Sequence, residues 1–438
     1  MPSKGTVVRI SERAARCRGL RPALRAFAAG ALLSCGALGQ PAGFNYEESK
    51  VPSYDLPEIL RRADGGIVDT AAEWPARRAE ILKLFEEQVY GISPGAPAHM
   101  RFTVLEEDDA ALGGLARRKQ VRVDFGPNGS SSMEILLYTP ASAERRVPVF
   151  VGLNFGGNHT VHSDPAIRMP TRWVLERDGT ETRRRDADDT RGRSASRWQV
   201  ERLLKRGYGV ATVYCGDLDP DFDDGFENGV HPLAPPISPA DWGSISAWAW
   251  GLSRALDYLE TDPHADGSRV AVMGHSRLGK TALWAGARDM RFAMVISNNS
   301  GCGGAALSRR RFGETVARIN TRFPHWFADN FSQYNGEEDS LPVDQHMLLA
   351  LVAPRPLYVA SAEDDSWADP KGEFLAAMHA GRAYELLGEQ GLGVSEQPPV
   401  NQPVMRTVGY HIRTGKHDVT AYDWDRFLDF GDLHLKRD

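Results

Sequence analysis

Residues 269–287, which read RVAVMGHSRLGKTALWAGA, decide the fold of this chain. The apolar run 270–273 predicts a buried strand, and residues 281–287 predict a helix. Ser276 lies between the two, with small residues around it that allow a tight strand-to-helix turn. Such a turn is typical of a strained nucleophile elbow. Its hydroxyl points out of the sheet at a helix N-terminus, where backbone N–H groups favour developing negative charge.

The elbow motif departs from its usual form in one place. The usual pattern is G-x-S-x-G, whereas the second glycine here comes one residue later, as Gly279. A serine that merely caps the helix is therefore an alternative interpretation, and these residues alone do not separate the two. The rest of the chain has to supply partners for a nucleophile.

Candidate partners follow two later strands. Residues 357–362 predict a buried strand, and it ends in the carboxylates Glu363, Asp364 and Asp365. Residues 408–413 predict another strand, followed by a loop that holds His417. The order serine, acid, histidine is that of the α/β-hydrolases. Their histidine takes the proton of the serine, and the acid fixes the histidine tautomer. We therefore predict Ser276 as nucleophile and His417 as base.

Short apolar runs alternate with helical patterns through most of the chain. The runs are 149–154, 209–214, 269–273, 293–297 and 357–360, and the helical patterns are 242–259, 280–288 and 343–351. This alternation predicts an α/β fold with a mostly parallel, doubly covered sheet. Alternating segments at 119–125 and 132–138, joined by a turn at 126–129, predict antiparallel strands before it. We expect one catalytic domain, residues 41–438, organised as a three-layer α/β-hydrolase sandwich.

Composition excludes some functions. The chain has 438 residues and a formal net charge of -6. Its one arginine-rich stretch, 177–206, is interleaved with acids, which favours a solvated loop and helix face. Nucleic-acid binding needs a clustered positive surface and is not expected. We expect a monomer, and hydrolysis through Ser276 and His417 would need no metal and no cofactor.

The first forty residues predict a secretory signal. Six arginines between Arg9 and Arg25 precede a short apolar run, 27–38, which is too short to span a membrane. A cut before Gln40 and lipidation at Cys35 are the two alternatives. The first gives a secreted or periplasmic protein, and the second an outer-membrane lipoprotein. Neither alternative includes a membrane span.

Two of the four cysteines remain after such a signal is removed, namely Cys215 and Cys302. They cannot form a disulfide scaffold, and they lack the spacing of metal ligands. A single disulfide and two buried free thiols are both compatible with the sequence.

Several motifs together resemble the glucuronoyl esterases, carbohydrate esterase family 15, and specifically the bacterial branch. The resemblance runs from about Tyr54 to Phe430. Its motifs are Gly-His-Ser-Arg-Leu-Gly-Lys at 274–280, Ser-Gly-Cys-Gly-Gly-Ala-Ala at 300–306, Phe-Gly-Glu-Thr at 312–315, Asp-Asp-Ser-Trp-Ala-Asp-Pro at 364–370 and Gly-Lys-His-Asp at 415–418. The resemblance implies hydrolysis of the ester between a 4-O-methylglucuronic acid group of xylan and a lignin alcohol.

The resemblance also implies further roles. Arg277 would stabilise the oxyanion, because a fixed guanidinium supplies permanent positive charge there. Lys280, Glu314 and Trp367 would form the sugar site. Without the resemblance, these three residues would be interpreted as solvated charges and a core aromatic.

The position of the triad acid differs from the fungal pattern. Fungal members carry a glutamate at the position that matches Asn299, which supplies no charge. Many bacterial relatives use an acid at the position that matches Asp365, and we predict Asp365 as the triad acid, with Asp364 as the alternative. The loop 155–158 is expected to donate an N–H to the oxyanion, although a plain glycine turn also fits.

Two other functions fit the same residues. An acetyl or feruloyl xylan esterase could use the same scaffold, but an acetyl group offers Lys280 nothing to recognise. A non-catalytic carbohydrate-binding relative could keep the fold, although a complete triad speaks against it.

For the glucuronoyl esterase that the resemblance implies, the expected partner is glucuronoxylan or a lignin-carbohydrate ester.

Overall fold

The computed structural model describes residues 40–126, 129–170 and 190–436. Residues 1–39 of the predicted signal, with the proposed lipidation site Cys35, lie outside the described residues. So does the part of the arginine-rich stretch before residue 190. In the chain that the structure describes, no helix has the length and apolar character needed to cross a membrane.

Within the described residues, nine strands form one sheet in the order β1-β2-β3-β5-β4-β6-β7-β8-β9. The strands are β1 (Met100–Ala110), β2 (Ala116–Phe125), β3 (Ser131–Pro140), β4 (Val147–Asn154), β5 (Gly209–Tyr214), β6 (Ala265–His275), β7 (Met294–Asn298), β8 (Leu357–Ala362) and β9 (Val408–Arg413). Strands β5, β4, β6, β7, β8 and β9 are parallel, and β1, β2 and β3 join them as an antiparallel extension.

The helices cover both faces of this sheet. They are α1 (Trp74–Phe85), α2 (Ala111–Gly114), α3 (Ala195–Trp198), α4 (Val200–Lys205), α5 (Cys215–Leu218), α6 (Ser244–Leu259), α7 (Arg277–Arg288), α8 (Val316–Arg322), α9 (Gln345–Ala350), α10 (Pro370–Leu386) and α11 (Ala421–His434). A π-helical turn, Glu86–Tyr90, follows α1. Short 3₁₀ turns occur at Glu48–Lys50, Asn158–Thr160, His231–Leu233, Ser308–Arg310, Asp329–Tyr334, Glu338–Ser340 and Ser366–Ala368.

Successive residues of the central strands enter different cores, because side chains alternate across a strand. Val149 and Val151 of β4 belong to the larger core, with α6, α7 and α10. Phe150, between them, belongs to the smaller core on the other face, with α4 and α11. Helices on both sides of a mostly parallel sheet make the three layers of an α/β-hydrolase, so the predicted fold class is confirmed.

The antiparallel extension contains one strand that the sequence did not reveal. The predicted pair corresponds to β2 and β3, which are joined as a hairpin with Phe125 opposite Ser131. Strand β1 pairs with β2 at the edge of the sheet. Its sequence ends in Glu-Glu-Asp-Asp-Ala, and charges on an edge strand hide the apolar alternation that marks a strand.

Two arginines of the arginine-rich stretch form ion pairs with another helix. Arg202 on α4 is paired with Asp425 on α11, and Arg206 is paired with Asp429 at 2.8 Å. These pairs connect two helices on the same face of the sheet. The paired side chains are 36–41% exposed, so this part of the stretch is a solvated helix face that carries surface ion pairs.

Candidate active site

The elbow at Ser276 has the strained backbone that the motif predicts. Ser276 follows β6 directly, precedes α7, and has φ 59° and ψ −130°. Its N–H donates to the carbonyl of Asn298 on β7 at 2.9 Å, and its carbonyl accepts the N–H of Gly279 at 2.8 Å. A non-glycine residue at positive φ is unfavourable and persists only where its surroundings impose it. The elbow therefore holds Ser276, which is partly exposed, at the carboxyl edge of the sheet.

The displaced glycine has a steric reason. Leu278 stands where the usual motif has glycine, and its side chain is buried in the core. A Cβ on Gly279 would instead lie 3.0 Å from the Ser300 side chain and 3.1 Å from the Gly274 carbonyl. Gly274 is more constrained, since a Cβ there would meet the Leu278 carbonyl at 1.9 Å. Close packing of α7 on β6 and on the loop after β7 thus requires glycine at 274 and leaves little room at 279.

His417 and Asp365 are hydrogen-bonded to each other. The distance from His417 Nδ1 to Asp365 Oδ2 is 2.6 Å, and the Asp365 side chain is buried. Glu363 and Asp364, in contrast, are exposed. The structure thus brings His417 together with the acid that the bacterial motif selects.

The imidazole of His417 lies beside the elbow. Its ring centroid is 4.5 Å from that of His275, the residue before Ser276. His275 is buried, and its Nδ1 is 2.7 Å from Asn298 Oδ1. Burial lowers the pKa of His275 well below its usual value, helped by the positive charge that His417 can carry. A neutral His275 therefore packs against His417.

Arg277 is held at the first position of α7. Its guanidinium carbon lies 5.0 Å from the ring centre of Phe155 and 5.2 Å from that of Trp326. Its Nε is 2.7 Å from Asp221 Oδ2 in an ionic contact. Guanidinium groups are attracted to the faces of aromatic rings, so both rings and the carboxylate restrict the group.

Asp221 is a residue that the sequence analysis missed. Its side chain is 10% exposed. Its Oδ1 accepts the Trp326 indole N–H at 2.7 Å and lies 3.3 Å from His325 Nε2. Burial alone would raise the pKa of Asp221, but Arg277 and these hydrogen bonds outweigh it and lower the pKa to about 2. The ionised carboxylate is therefore a permanent partner for Arg277.

The three predicted sugar-site residues lie on neighbouring elements. Lys280 is buried on α7, one helical turn after Ser276, and its Nζ donates to the Ser300 carbonyl. Glu314 and Trp367 lie on two loops that touch, since the Glu314 N–H donates to the Trp367 carbonyl at 3.1 Å. Burial lowers the pKa of Lys280 and raises that of Glu314, and the attraction between the two charges opposes both changes. The ammonium group of Lys280 and the carboxyl group of Glu314 are thus close enough to interact electrostatically.

The loop after β4 lies against the same residues. The Phe155 ring is edge-on to the His275 ring at 6.4 Å and packs under Arg277. The N–H of Gly157 already donates to Asn154 Oδ1 at 2.8 Å. An oxyanion donor from this loop would therefore have to be an N–H other than that of Gly157.

Similarity to known proteins identifies the family. A family model described as glucuronyl esterase, fungi, matches residues 238–388. The carbohydrate esterase MZ0003, from an unknown prokaryotic organism, is 53% identical over 403 residues, which cover 90% of this chain and 93% of the relative. The chain belongs to carbohydrate esterase family 15, the glucuronoyl esterases. It is therefore a carboxylic-ester hydrolase.

Solved structures of relatives agree with this assignment. A promiscuous family 15 esterase from a marine bacterial metagenome has a TM-score of 0.84 and 52% identity, and the match covers 90% of this chain and all of that one. A glucuronoyl esterase from Solibacter usitatus has a TM-score of 0.84 and 49% identity, with 88% of this chain and 99% of that chain covered.

Asn299 of this esterase, which the resemblance matches to the acid of fungal members, contacts the predicted triad. Its Nδ2 donates to Asp365 Oδ2 at 2.8 Å, the same oxygen that His417 Nδ1 approaches. Asn299 is buried and has φ 46°, a left-handed conformation that asparagine tolerates better than most residues. The amide of Asn299 thus donates a hydrogen bond to the carboxylate of Asp365, the predicted triad acid.

Glu373 on α10 is a second residue that the sequence analysis missed. Its carboxylate accepts the N–H of Ser300 at 2.7 Å, the N–H of Gly301 at 3.0 Å and the Ser361 hydroxyl at 2.6 Å. Burial raises the pKa of Glu373 to about 8. Glu373 fixes the start of the glycine-rich loop whose Ser300 carbonyl contacts Lys280.

Two further sets of side chains have metal-binding or thiol chemistry. In the part of the chain that the structure describes, Glu107, Asp109 and His264 could share a metal ion, but Glu107 and Asp109 are exposed and Glu107 is already paired with Lys119 at 3.1 Å. Cys215 and Cys302 are both free and buried, which decides between the two alternatives for these thiols.

Proposed function

We propose that this esterase hydrolyses esters of (4-O-methyl-)D-glucuronic acid, such as those that join glucuronoxylan to lignin alcohols. The observation that carries the proposal is the buried ammonium of Lys280, one helical turn after Ser276, whose charge interacts with the carboxyl group of Glu314. A sugar with several hydroxyls can satisfy both groups, whereas an acetyl group can satisfy neither. Relatives named 4-O-methyl-glucuronoyl methylesterase support the same substrate.

In the proposed acylation step, Ser276 Oγ attacks the carbonyl carbon of the uronoyl ester and passes its proton to His417 Nε2. The hydrogen bond between Asp365 and His417 Nδ1 leaves Nε2 as the nitrogen that can accept this proton. The oxyanion of the tetrahedral intermediate is stabilised by Arg277, through its guanidinium and through its N–H at the start of α7. Collapse of the intermediate breaks the ester bond, and the alcohol leaves with the proton from His417.

In the proposed deacylation step, water gives a proton to His417 and attacks the acyl-enzyme carbonyl. The second intermediate collapses, releases the uronic acid and returns the proton to Ser276. Both proposed steps use only side chains and a backbone N–H of this chain, together with water. Lys280 and Glu314 would bind sugar hydroxyls, and Trp367 would contact the ring.

We also propose that the enzyme is exported, since residues 1–40 carry the signal pattern and polymeric xylan lies outside the cell. The mass of the mature N-terminus tests this. A chain that begins at Gln40 indicates signal cleavage, a lipid-modified Cys35 indicates a lipoprotein, and an intact Met1 in the cell contradicts export.

The test of the substrate compares benzyl glucuronate with acetylated xylan, with Ser276→Ala as the control for background hydrolysis. We expect turnover of benzyl glucuronate that Ser276→Ala abolishes. Lys280→Met should raise the KM for benzyl glucuronate about tenfold or more, because a buried polar contact to the sugar is lost. Activity confined to acetyl esters would contradict the proposal and would favour the acetyl esterase.

A further inference from the structure

The N-terminal strap, residues 44–48, lies against the two loops that carry Glu314 and Trp367. The Asn45 carbonyl accepts the Gly313 N–H at 2.8 Å, and the next N–H, that of Glu314, donates to the Trp367 carbonyl at 3.1 Å. Gly313 has φ +63°, and a Cβ there would lie 2.5 Å from the Trp367 carbonyl oxygen. The strap, Gly313 and the Trp367 loop are therefore in direct backbone contact.

Aromatic side chains of the strap contact the same loops. The Phe44 ring meets the Trp367 ring edge-on, with centroids 5.0 Å apart and an interplanar angle of 89°. Tyr46 meets Phe312 in the same way at 6.3 Å. The Phe44 ring also contacts Arg318, whose guanidinium carbon lies 5.9 Å from the ring centre. The ring of Trp367 is thus in direct contact with a ring of the strap.

Charged groups add a third connection. Glu48 binds Arg310 through both carboxylate oxygens, at 3.1 and 2.7 Å. Arg310 is buried and also contacts Asp369 at 2.8 Å, and Asp369 caps α10 by accepting the Gly372 N–H at 3.0 Å. This chain of charges runs from the strap through the loop before Glu314 to the loop after Trp367. Burial and the negative charge of Glu314 raise the pKa of Tyr46 to about 12, which agrees with a strap close to Glu314.

We propose that the N-terminal strap positions Trp367 and Glu314 and so determines the affinity of the enzyme for the uronic acid. Phe44 and Glu48 are positioning residues in this proposal, not catalytic ones. Ser276, Arg277 and the His417–Asp365 pair are held by the elbow, by Asp221 and by Asn299, and none of the strap contacts described above involves them. Loss of a strap contact should therefore weaken sugar binding and leave the chemistry of ester cleavage intact.

The experiment measures kcat and KM of Phe44→Ala and Glu48→Gln with benzyl glucuronate and with 4-nitrophenyl acetate, which has no sugar. We expect about a three- to tenfold rise in the KM for benzyl glucuronate, as befits the loss of one aromatic or ionic contact. We expect kcat/KM for the acetate ester to change by less than about twofold. Phe44→Tyr should have a KM for benzyl glucuronate close to that of the wild type, since it keeps the aromatic ring. Lys50→Ala is the matched control, because Lys50 is exposed and its one ion pair among the described residues is with exposed Glu47.

Two results would overturn the role of the strap. One is an unchanged KM for benzyl glucuronate in both variants, and the other is an equal loss on both esters, which would mean that the strap supports the whole fold. The inference rests on the proposed substrate, and wild-type enzyme that cleaves only the acetate ester would refute that substrate instead. In that event amide hydrogen exchange of residues 311–318 still tests positioning. Faster exchange at Gly313 in Phe44→Ala supports it, and unchanged exchange overturns it.

Discussion

Replacement of Asp221 by asparagine tests whether Arg277 acts through its fixed position. The carboxylate of Asp221 is 2.7 Å from Arg277 Nε, and it also accepts the indole N–H of Trp326. Asparagine keeps the size of the side chain but removes the charge. Arg277 would keep its contacts with two aromatic rings and lose its ionic partner.

The size of the effect follows from the pKa of Asp221. Lowering this pKa from 3.8 to about 2 corresponds to about 2 kcal/mol of folding free energy at neutral pH. Because the pKa is lower in the folded state, this contribution is complete above about pH 4 and is lost as the pH falls toward 2. We expect Asp221→Asn to lower the free energy of unfolding by about 2 kcal/mol at pH 7, with a smaller difference below pH 4.

The fall in kcat should be larger than a loss of stability alone would cause. Removal of a complete oxyanion donor costs about 10²–10³ in kcat. In Asp221→Asn the guanidinium of Arg277 loses its ionic partner but is still present, so the loss should be smaller. We expect a 10- to 100-fold fall in kcat for benzyl glucuronate with little change in KM. Asp257→Asn is the matched control, since Asp257, on α6, is a partly buried partner of Arg254 and Arg291. An unchanged kcat in Asp221→Asn, with the loss of stability present, would refute this role of Asp221.

Three further predictions concern the acid, its neighbour and the thiols. Asp365→Asn should lower kcat by about ten-thousandfold, while Asp364→Asn stays near wild type; the reverse pattern in steady-state kinetics would shift the triad acid by one residue. Asn299→Ala removes one hydrogen bond to the Asp365 carboxylate and should lower kcat up to about tenfold, which an unchanged pH–rate profile and kcat would contradict. Cys215 and Cys302 should not react with a thiol reagent in the native mature chain at neutral pH, because burial raises both pKa values, whereas both should react in urea; rapid labelling of the native chain would contradict this.

The central strands and the elbow were predictable because their signals are local. Strands β4 to β8 are short apolar runs, and burial on both faces leaves few polar residues in them. The elbow at Ser276 is contained in one strand-turn-helix segment. His417 follows the last strand, so its chain order alone indicated where to look. The boundaries were less certain, and α7 begins at Arg277 rather than at residue 280.

Residues whose role depends on distant partners could not be predicted in the same way. Asp221 lies in a loop with several other acids, and nothing in the spacing connects it with Arg277. Glu373 resembles an ordinary charge in the first turn of α10, and its contact with the loop of Ser300 is a tertiary one. Phe44 lies more than 300 residues before Trp367, and only the fold brings the two rings together.

The central claim is that the uronoyl group is transferred to Ser276, and acid quenching of the enzyme during turnover of benzyl glucuronate tests it most directly. Peptide mass analysis should find one glucuronoyl group on the peptide that contains Ser276, and Ser276→Ala should show neither this adduct nor turnover. Full turnover by Ser276→Ala, with no adduct on the wild-type peptide, would contradict the account.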